Sequence, residues 1–145
     1  MGSINKILIV ASESMLIDMV MRHLKRKGFL LERIEENSES RAGVTFHFKN
    51  GCPYDLIIAD IFSAKVDGIN FCSWFKNKYP HIPMLLLSGY GTLDMTMKML
   101  RPELDSYCRK PFTPDDMMAS LAEIEVKMQA QKKNVHPPIS ASVLC

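Results

Sequence analysis

Short apolar runs alternate with stretches of helical period over about the first 130 residues, and that alternation predicts a sheet assembled from β-α repeats. Lys6 to Val10 reads as the first strand. From Ser14 to about Lys27, Leu16, Met19, Val20 and Leu24 share one helical face with basic residues elsewhere, and Gly28 ends that helix. Phe29 to Ile34 reads as the second strand, and Glu39 to about Lys49 as a second helix that stops at the turn dipeptide Asn50-Gly51 before Pro53. Tyr54 to Ala59 is the third strand. The helix that follows, from about Gly68 to Asn77, presents Ile69, Cys72, Phe75 and neighbouring Phe71 to the sheet, with Trp74 at its rim and Pro80 beyond it. Ile82 to Leu87 is the fourth strand, with Pro83 near its start, and Thr92 to about Leu100 a helix aligning Leu93, Met97 and Leu100 until Pro102 stops it. Asp105 to Arg109 is the fifth strand. Thr113-Pro114-Asp115-Asp116 then supplies a cap, a proline at the first helical position and acids matched to the helix dipole. The last helix carries Met117, Leu121, Ile124 and Met128 on one stripe and fades at Gln131-Lys132-Lys133.

Five such repeats predict an α/β fold, a doubly wound five-stranded parallel sheet with five helices. A chain of 145 residues, 47% of them hydrophobic, can bury one core and hardly two. Residues 1–131 are therefore expected to form one domain and residues 132–145 a flexible C-terminal tail.

Charge excludes more than it identifies. A net charge of +2, from 18 basic and 16 acidic residues mixed along the chain, calls for neither direct nucleic-acid contact nor an anionic membrane. Cys52, Cys72, Cys108 and Cys145 show no C-x-x-C spacing, and His23, His47, His81 and His136 lack ligand spacing, so no metal is assigned to cysteine or histidine. No signal-peptide pattern or membrane-length apolar stretch is present, and a reduced, cytoplasmic protein is expected.

Doubly wound sheets collect their sites at the carboxyl ends of the strands. Here those ends carry Ala11-Ser12-Glu13, Asp60, Ser88-Gly89 and Lys110-Pro111. Taken singly, Asp60 is also a strand-end carboxylate that caps a loop, Ser88 a turn serine, and Lys110 a solvated lysine beside a structural proline. Taken together, an aspartate nucleophile, a hydroxyl, a space-clearing glycine and a lysine are the parts needed to place a phosphoryl group on a carboxylate and neutralise its oxygens.

The runs K-I-L-I-V, D-L-I-I-A-D, D-G-I-N-F, L-L-L-S-G and Y-C-R-K-P-F, in that order, resemble a response-regulator receiver domain of flavodoxin-like, CheY-like fold over about residues 5–130. The resemblance implies that Asp60 is the phosphoacceptor, Ser88 the switch hydroxyl, Lys110 the phosphate-contacting lysine, and Tyr107 the aromatic whose rotamer reports the state of the site. It also implies a sensor histidine kinase or phosphotransfer protein as donor and a downstream protein partner. Met95, Met99 and Met118 fall off the main helical stripes and suit the partner surface that receivers build from the fourth and fifth helices and the fifth strand, a surface compatible with a homodimer.

The chain departs from the family pattern after the first strand. Receivers place two adjacent acids there to hold Mg2+, whereas this chain has Ala11 and Ser12. Only Asp60, the backbone carbonyl of Phe62 and the displaced Glu13 are then left as ligands, so magnesium affinity is expected to fall. Ala64 stands where a proline commonly follows the acceptor loop. The favoured expectation is a response regulator receiver that accepts a phosphoryl group on Asp60 and signals through protein contacts, with self-phosphorylation and dephosphorylation its only enzymology. The alternative is a pseudo-receiver that signals without phosphorylation. A more remote one is a flavodoxin-like binder of phosphate or FMN, for which the loop after the first strand lacks the usual glycines.

Overall fold

The computed structural model describes residues 4–12, 14–35, 51–60, 66–89, 98 and 100–137, without the side chains of 66–70 and 133–137. Within them run β1 (Lys6–Val10), α1 (Met15–Arg26), β2 (Leu30–Ile34), β3 (Leu56–Asp60), α2 (Val66–Lys78), β4 (Met84–Ser88), β5 (Ser106–Arg109) and α3 (Pro114–Pro137). All strand pairs are parallel, in the order β2-β1-β3-β4-β5. This is the expected doubly wound sheet. Three of the five expected helices are described; the expected helix at 39–49 and nearly all of that at 92–100 lie outside the described residues, with Lys98 in a turn.

Strand alternation divides the interior in two. Ile7, Ile9, Leu56, Ile58, Leu85 and Leu87 face α1 and α3, where Ile17, Val20, Leu24, Met117, Leu121 and Ile124 cover them. Leu8, Val10, Ile57, Ala59, Met84 and Leu86 face α2, where Phe71, Cys72 and Phe75 cover them, with Trp74 partly buried against the same cluster. Both faces of the central strands are thus covered, which is why β1, β3 and β4 read as near-continuous apolar runs.

Local signals fix the helix ends. The Ser14 side chain accepts from the Ile17 N–H at 3.1 Å and caps α1. At the other end Gly28 adopts φ +97°, and the N–H groups of Gly28 and Phe29 return to the carbonyls of Lys25 and Leu24, a Schellman close that requires the left-handed conformation glycine takes at no steric cost. Thr113 and Asp116 cap α3 reciprocally, at 3.0 and 2.9 Å. This helix runs past the expected fade at residues 131–133 to Pro137. The apolar stripe ends earlier, but Ala130, Gln131, Lys132 and Lys133 are good helix formers and carry the helix on.

The opposite end of the sheet from Asp60 is tied by a buried ion pair. Asp105, with a fully buried side chain, accepts from Lys76 Nζ at 2.9 Å and from the backbone N–H groups of Met84 and Arg101 at 2.8 Å each. Lys76 Nζ also donates to the Ile82 carbonyl at 3.1 Å. Burial holds the Lys76 ammonium below its usual pKa and Arg101 pushes the same way, while the bond to Asp105 pulls it back up.

Of the described cysteines, Cys72 and Cys108 are buried and Cys52 is half-buried. Burial, then the charge of Asp55, pushes the Cys52 thiol up to about 12, and burial also raises Cys108 against the lowering bond from Ser120. Both thiols are therefore expected to react with a disulfide reagent at pH 8 at least about tenfold more slowly in the native protein than in urea. Native rates equal to unfolded ones would contradict that. No described helix is long and apolar enough to cross a membrane.

Candidate functional site

Three adjacent strand ends bring Asp60, Ser88 and Lys110 together. Asp60 is the last residue of β3, level with Leu87 of β4, and is 6% exposed. A carboxylate so placed needs a partner, because burying an unpaired charge is costly. Lys110 supplies one, its Nζ donating to Asp60 Oδ1 at 2.8 Å. Lys110 follows β5 directly, its backbone N–H donates to the Ser88 carbonyl at 2.9 Å, and its bond to Pro111 is cis. The backbone thus joins the ends of β4 and β5 while the lysine side chain reaches back across β4 to β3.

Ser88, the last residue of β4, is fully buried, and its Oγ has no hydrogen-bond partner among the described residues. A buried hydroxyl without a partner costs free energy, and such a group at a functional crest has spare capacity to donate to an oxyanion. Among the described residues the strand ends therefore bring together a paired carboxylate, an ammonium and a buried hydroxyl, within the reach of neighbouring strands.

The β1 end is built differently. Ala11 is fully buried and offers only a methyl group and a carbonyl, and that carbonyl already accepts from Arg33 Nη1 at 2.9 Å. Ser12 is exposed. Among the described residues no three acids, histidines or cysteines gather as a metal site would require. Glu13 and Phe62, the other expected oxygen donors, lie outside the described residues.

The remaining expected residues are dispersed. Tyr107 stands on β5 one strand further out, 37% exposed, on the outward side of that strand's alternation. Met118 is half-buried and packs against the core face that α1 and α3 share, whereas Met95 and Met99 lie outside the described residues. Sequence reasoning missed the contact of Arg33 with the end of β1 and the buried Lys76–Asp105 pair at the opposite end of the sheet. Arg33 occupies a strand position like any outward-facing charge, and only strand order shows that its guanidinium meets the end of β1.

The comparisons with known proteins agree with the fold. The family model described as response regulator receiver domain matches residues 7–122. Transcriptional regulatory protein QseB of Haemophilus influenzae is 26% identical over 125 residues, covering 86% of this chain and 51% of that protein. Protein RcaC of Microchaete diplosiphon is 29% identical over 117 residues, covering 80% of this chain and 17% of its own length. The chain thus spans about half or less of these two relatives. Among solved structures, a response regulator receiver domain protein from Clostridium thermocellum superposes with a TM-score of 0.66 at 24% identity, covering 88% of this chain and 97% of that one. A receiver protein from Sinorhizobium medicae gives 0.64 at 22% identity, covering 84% and 94%.

Proposed function

The chain belongs to the response regulator receiver domain family, and from that premise we propose that Asp60 accepts a phosphoryl group and that the domain signals through protein–protein contacts. The observation that carries this is the Lys110–Asp60 pair at 2.8 Å beside the buried Oγ of Ser88, which has no partner among the described residues.

On this proposal an Asp60 carboxylate oxygen attacks the phosphorus of a donor. The new O–P bond makes an acyl phosphate as the donor's own bond to phosphorus breaks and the leaving group departs with that electron pair. From a phosphohistidine on a sensor histidine kinase or phosphotransfer protein, the leaving group is imidazole, which takes up a proton. The Lys110 ammonium offsets the charge on the transferred oxygens, and the Ser88 hydroxyl donates to one of them. Tyr107 serves as the aromatic that reports occupancy, and Met95, Met99 and Met118 belong to the face that meets a downstream partner or a second copy.

Receiver domains generally bind magnesium at an acidic pocket. The described oxygens here do not fit that ion. It asks for an octahedral shell rich in carboxylate and water oxygens, whereas Ala11 and Ser12 bring no carboxylate, and Asp60 Oδ1 is held by Lys110. We accordingly assign magnesium a weak hold and route no step through it.

The replacement of the acids by Ala11 and Ser12 favours a second reading, a pseudo-receiver that keeps the fold and signals without phosphorylation. Family membership gives no support to a flavodoxin-like binder of phosphate or FMN. One experiment decides between the first two: intact mass after incubation with phosphoramidate. Wild type is expected to gain one phosphoryl group and Asp60→Asn none. A folded wild-type protein that stays unmodified would move the assignment to the pseudo-receiver.

A further inference from the structure

At the end of the sheet opposite Asp60 an open cleft of about 290 Å³ is lined by Ser73, Lys76, Asn77, Lys98, Leu100 and Arg101. Ser73, Lys76 and Asn77 stand at i, i+3 and i+4 on α2 and share one face, turned away from the face of Phe71, Cys72 and Phe75 that packs on the sheet. Lys98, Leu100 and Arg101, from the segment before β5, make the other wall. One buried carboxylate fixes both walls. Asp105 Oδ1 accepts from Lys76 Nζ at 2.9 Å, and Oδ2 accepts from the Arg101 backbone N–H at 2.8 Å. Arg101 Nη1 is tied again to the Pro80 carbonyl at 3.2 Å.

Three cationic side chains line this cleft, and no described acid does. Asp105 is committed to Lys76, and Glu103, exposed two positions beyond Arg101, is the other acid whose charge reaches that ammonium. The carbonyl end of α2 adds negative partial charge, which Lys76 and Lys78 in its last turn offset. Donors are left over. An ammonium has three N–H groups, and Lys76 gives two, to Asp105 and Ile82. A guanidinium has five, and Arg101 gives one, to Pro80. Lys98, exposed, forms no ion pair among the described residues. The cations also oppose one another, since Arg101 pushes the Lys76 pKa down in the same direction as burial does. An anion between the walls would relieve that repulsion and accept the unused N–H groups.

The size and lining narrow the ligand. A volume of about 290 Å³ stands at the lower limit of small-molecule sites, and Leu100 is the one apolar side chain of the lining, so charge and not apolar burial would carry recognition. Cations on two facing walls suit an anion with charge on two neighbouring centres. We propose that this cleft binds a small molecule with adjacent phosphoryl groups, an inorganic or a nucleoside diphosphate, held by Lys98, Arg101 and Lys76 with Ser73 and Asn77 as neutral donors. The site is separate from the Asp60 crest and does not rest on the acceptor role of Asp60.

Pyrophosphate is the first probe, titrated without metal into the full chain at about 0.01 M ionic strength and followed by calorimetry and by the amide signals of Ser73, Asn77 and Arg101. Saturable binding with Kd below about 1 mM, and shifts centred on those residues, is the expected result. Orthophosphate, with one phosphoryl group, is expected to bind at least about fivefold more weakly. Lys98→Gln with Arg101→Gln removes two exposed cations, keeps the Arg101 N–H on Asp105, and is expected to weaken pyrophosphate at least about tenfold. Lys110→Ala is expected to leave the affinity within about twofold. ADP binding more tightly than pyrophosphate would assign the site to a nucleoside diphosphate, and equal or weaker binding to the inorganic anion. No saturable binding to wild type would overturn the proposal, and that result requires no variant to fold. So would shifts centred on Ser88 and Lys110, orthophosphate binding as tightly as pyrophosphate, or a folded double variant that binds like wild type. An acidic peptide that binds the cleft more tightly than either diphosphate would overturn it too, in favour of a protein partner.

Discussion

Asp105→Ala is expected to cost about 3–5 kcal/mol of folding free energy, measured by urea unfolding, because it strands the buried ammonium of Lys76. Asp105 accepts from Lys76 Nζ and from the N–H groups of Met84 and Arg101, so the substitution also leaves two backbone donors without their partner. A loss of that size is at least about a fifth of the stability of a typical domain, commonly about 5–15 kcal/mol. The complementary variant separates charge from packing. Lys76→Met with Asp105→Leu removes both charges and is expected to recover about half of the loss or more, since well-packed apolar pairs often replace buried ion pairs at little cost. A single-variant loss below about 1 kcal/mol would show that water or a rearranged Arg101 compensates the ammonium. The site at the other end of the sheet is untouched by these changes, so its chemistry serves as a control for folding.

The second large effect concerns the site. Lys110→Ala is expected to slow modification of Asp60 by phosphoramidate about 100-fold, the scale seen when one preorganised stabiliser of developing negative charge is removed. The pair explains the size: Nζ is already 2.8 Å from the acceptor carboxylate, in a setting where the two side chains are only 17% and 8% exposed. Little reorganisation is then needed when charge develops on the transferred group. Lys110→Arg keeps the charge on a longer, planar head and is expected to fall between the two. Comparing urea midpoints distinguishes a folding defect from a chemical one, because the alanine variant also leaves the Asp60 carboxylate without its ammonium. A rate within about threefold of wild type, in a folded variant, would contradict the assigned role of Lys110.

Much of the fold was legible because the central strands are covered on both faces and therefore apolar without a break. Lys6–Val10 is read directly, and Asp60 emerges as the first charge after Leu56-Ile57-Ile58-Ala59. Strand starts were less legible, since side-chain partners far along the chain set them. The fourth strand begins at Met84 and not at Ile82 because Pro83 has no N–H to give, and the Met84 N–H goes to the Asp105 carboxylate. The third begins at Leu56 and not at Tyr54, where the Asp55 carboxylate turns to the N–H groups of Asn5 and Lys6.

The site divides the same way. Asp60, Ser88 and Lys110 are polar residues at the ends of apolar runs, so strand order alone places them on one crest. Arg33 and Lys76 are charges inside elements and read as solvated faces. Their partners, Ala11 and Asp105, lie 22 and 29 positions away and become visible only when the strands are set side by side. For Lys76 the physical cost of burial is the clue that sequence hides, since a helical lysine near a C-terminal turn is ordinarily exposed.

The acceptor role of Asp60 is tested most directly by trapping the acyl phosphate. After brief treatment with phosphoramidate, borohydride reduces an aspartyl phosphate to homoserine, and peptide mass mapping locates the converted residue. Conversion at Asp60 and at no other acid of the wild-type protein is the predicted result. A folded protein with no conversion, or with conversion at another acid while Asp60 stays intact, would contradict it.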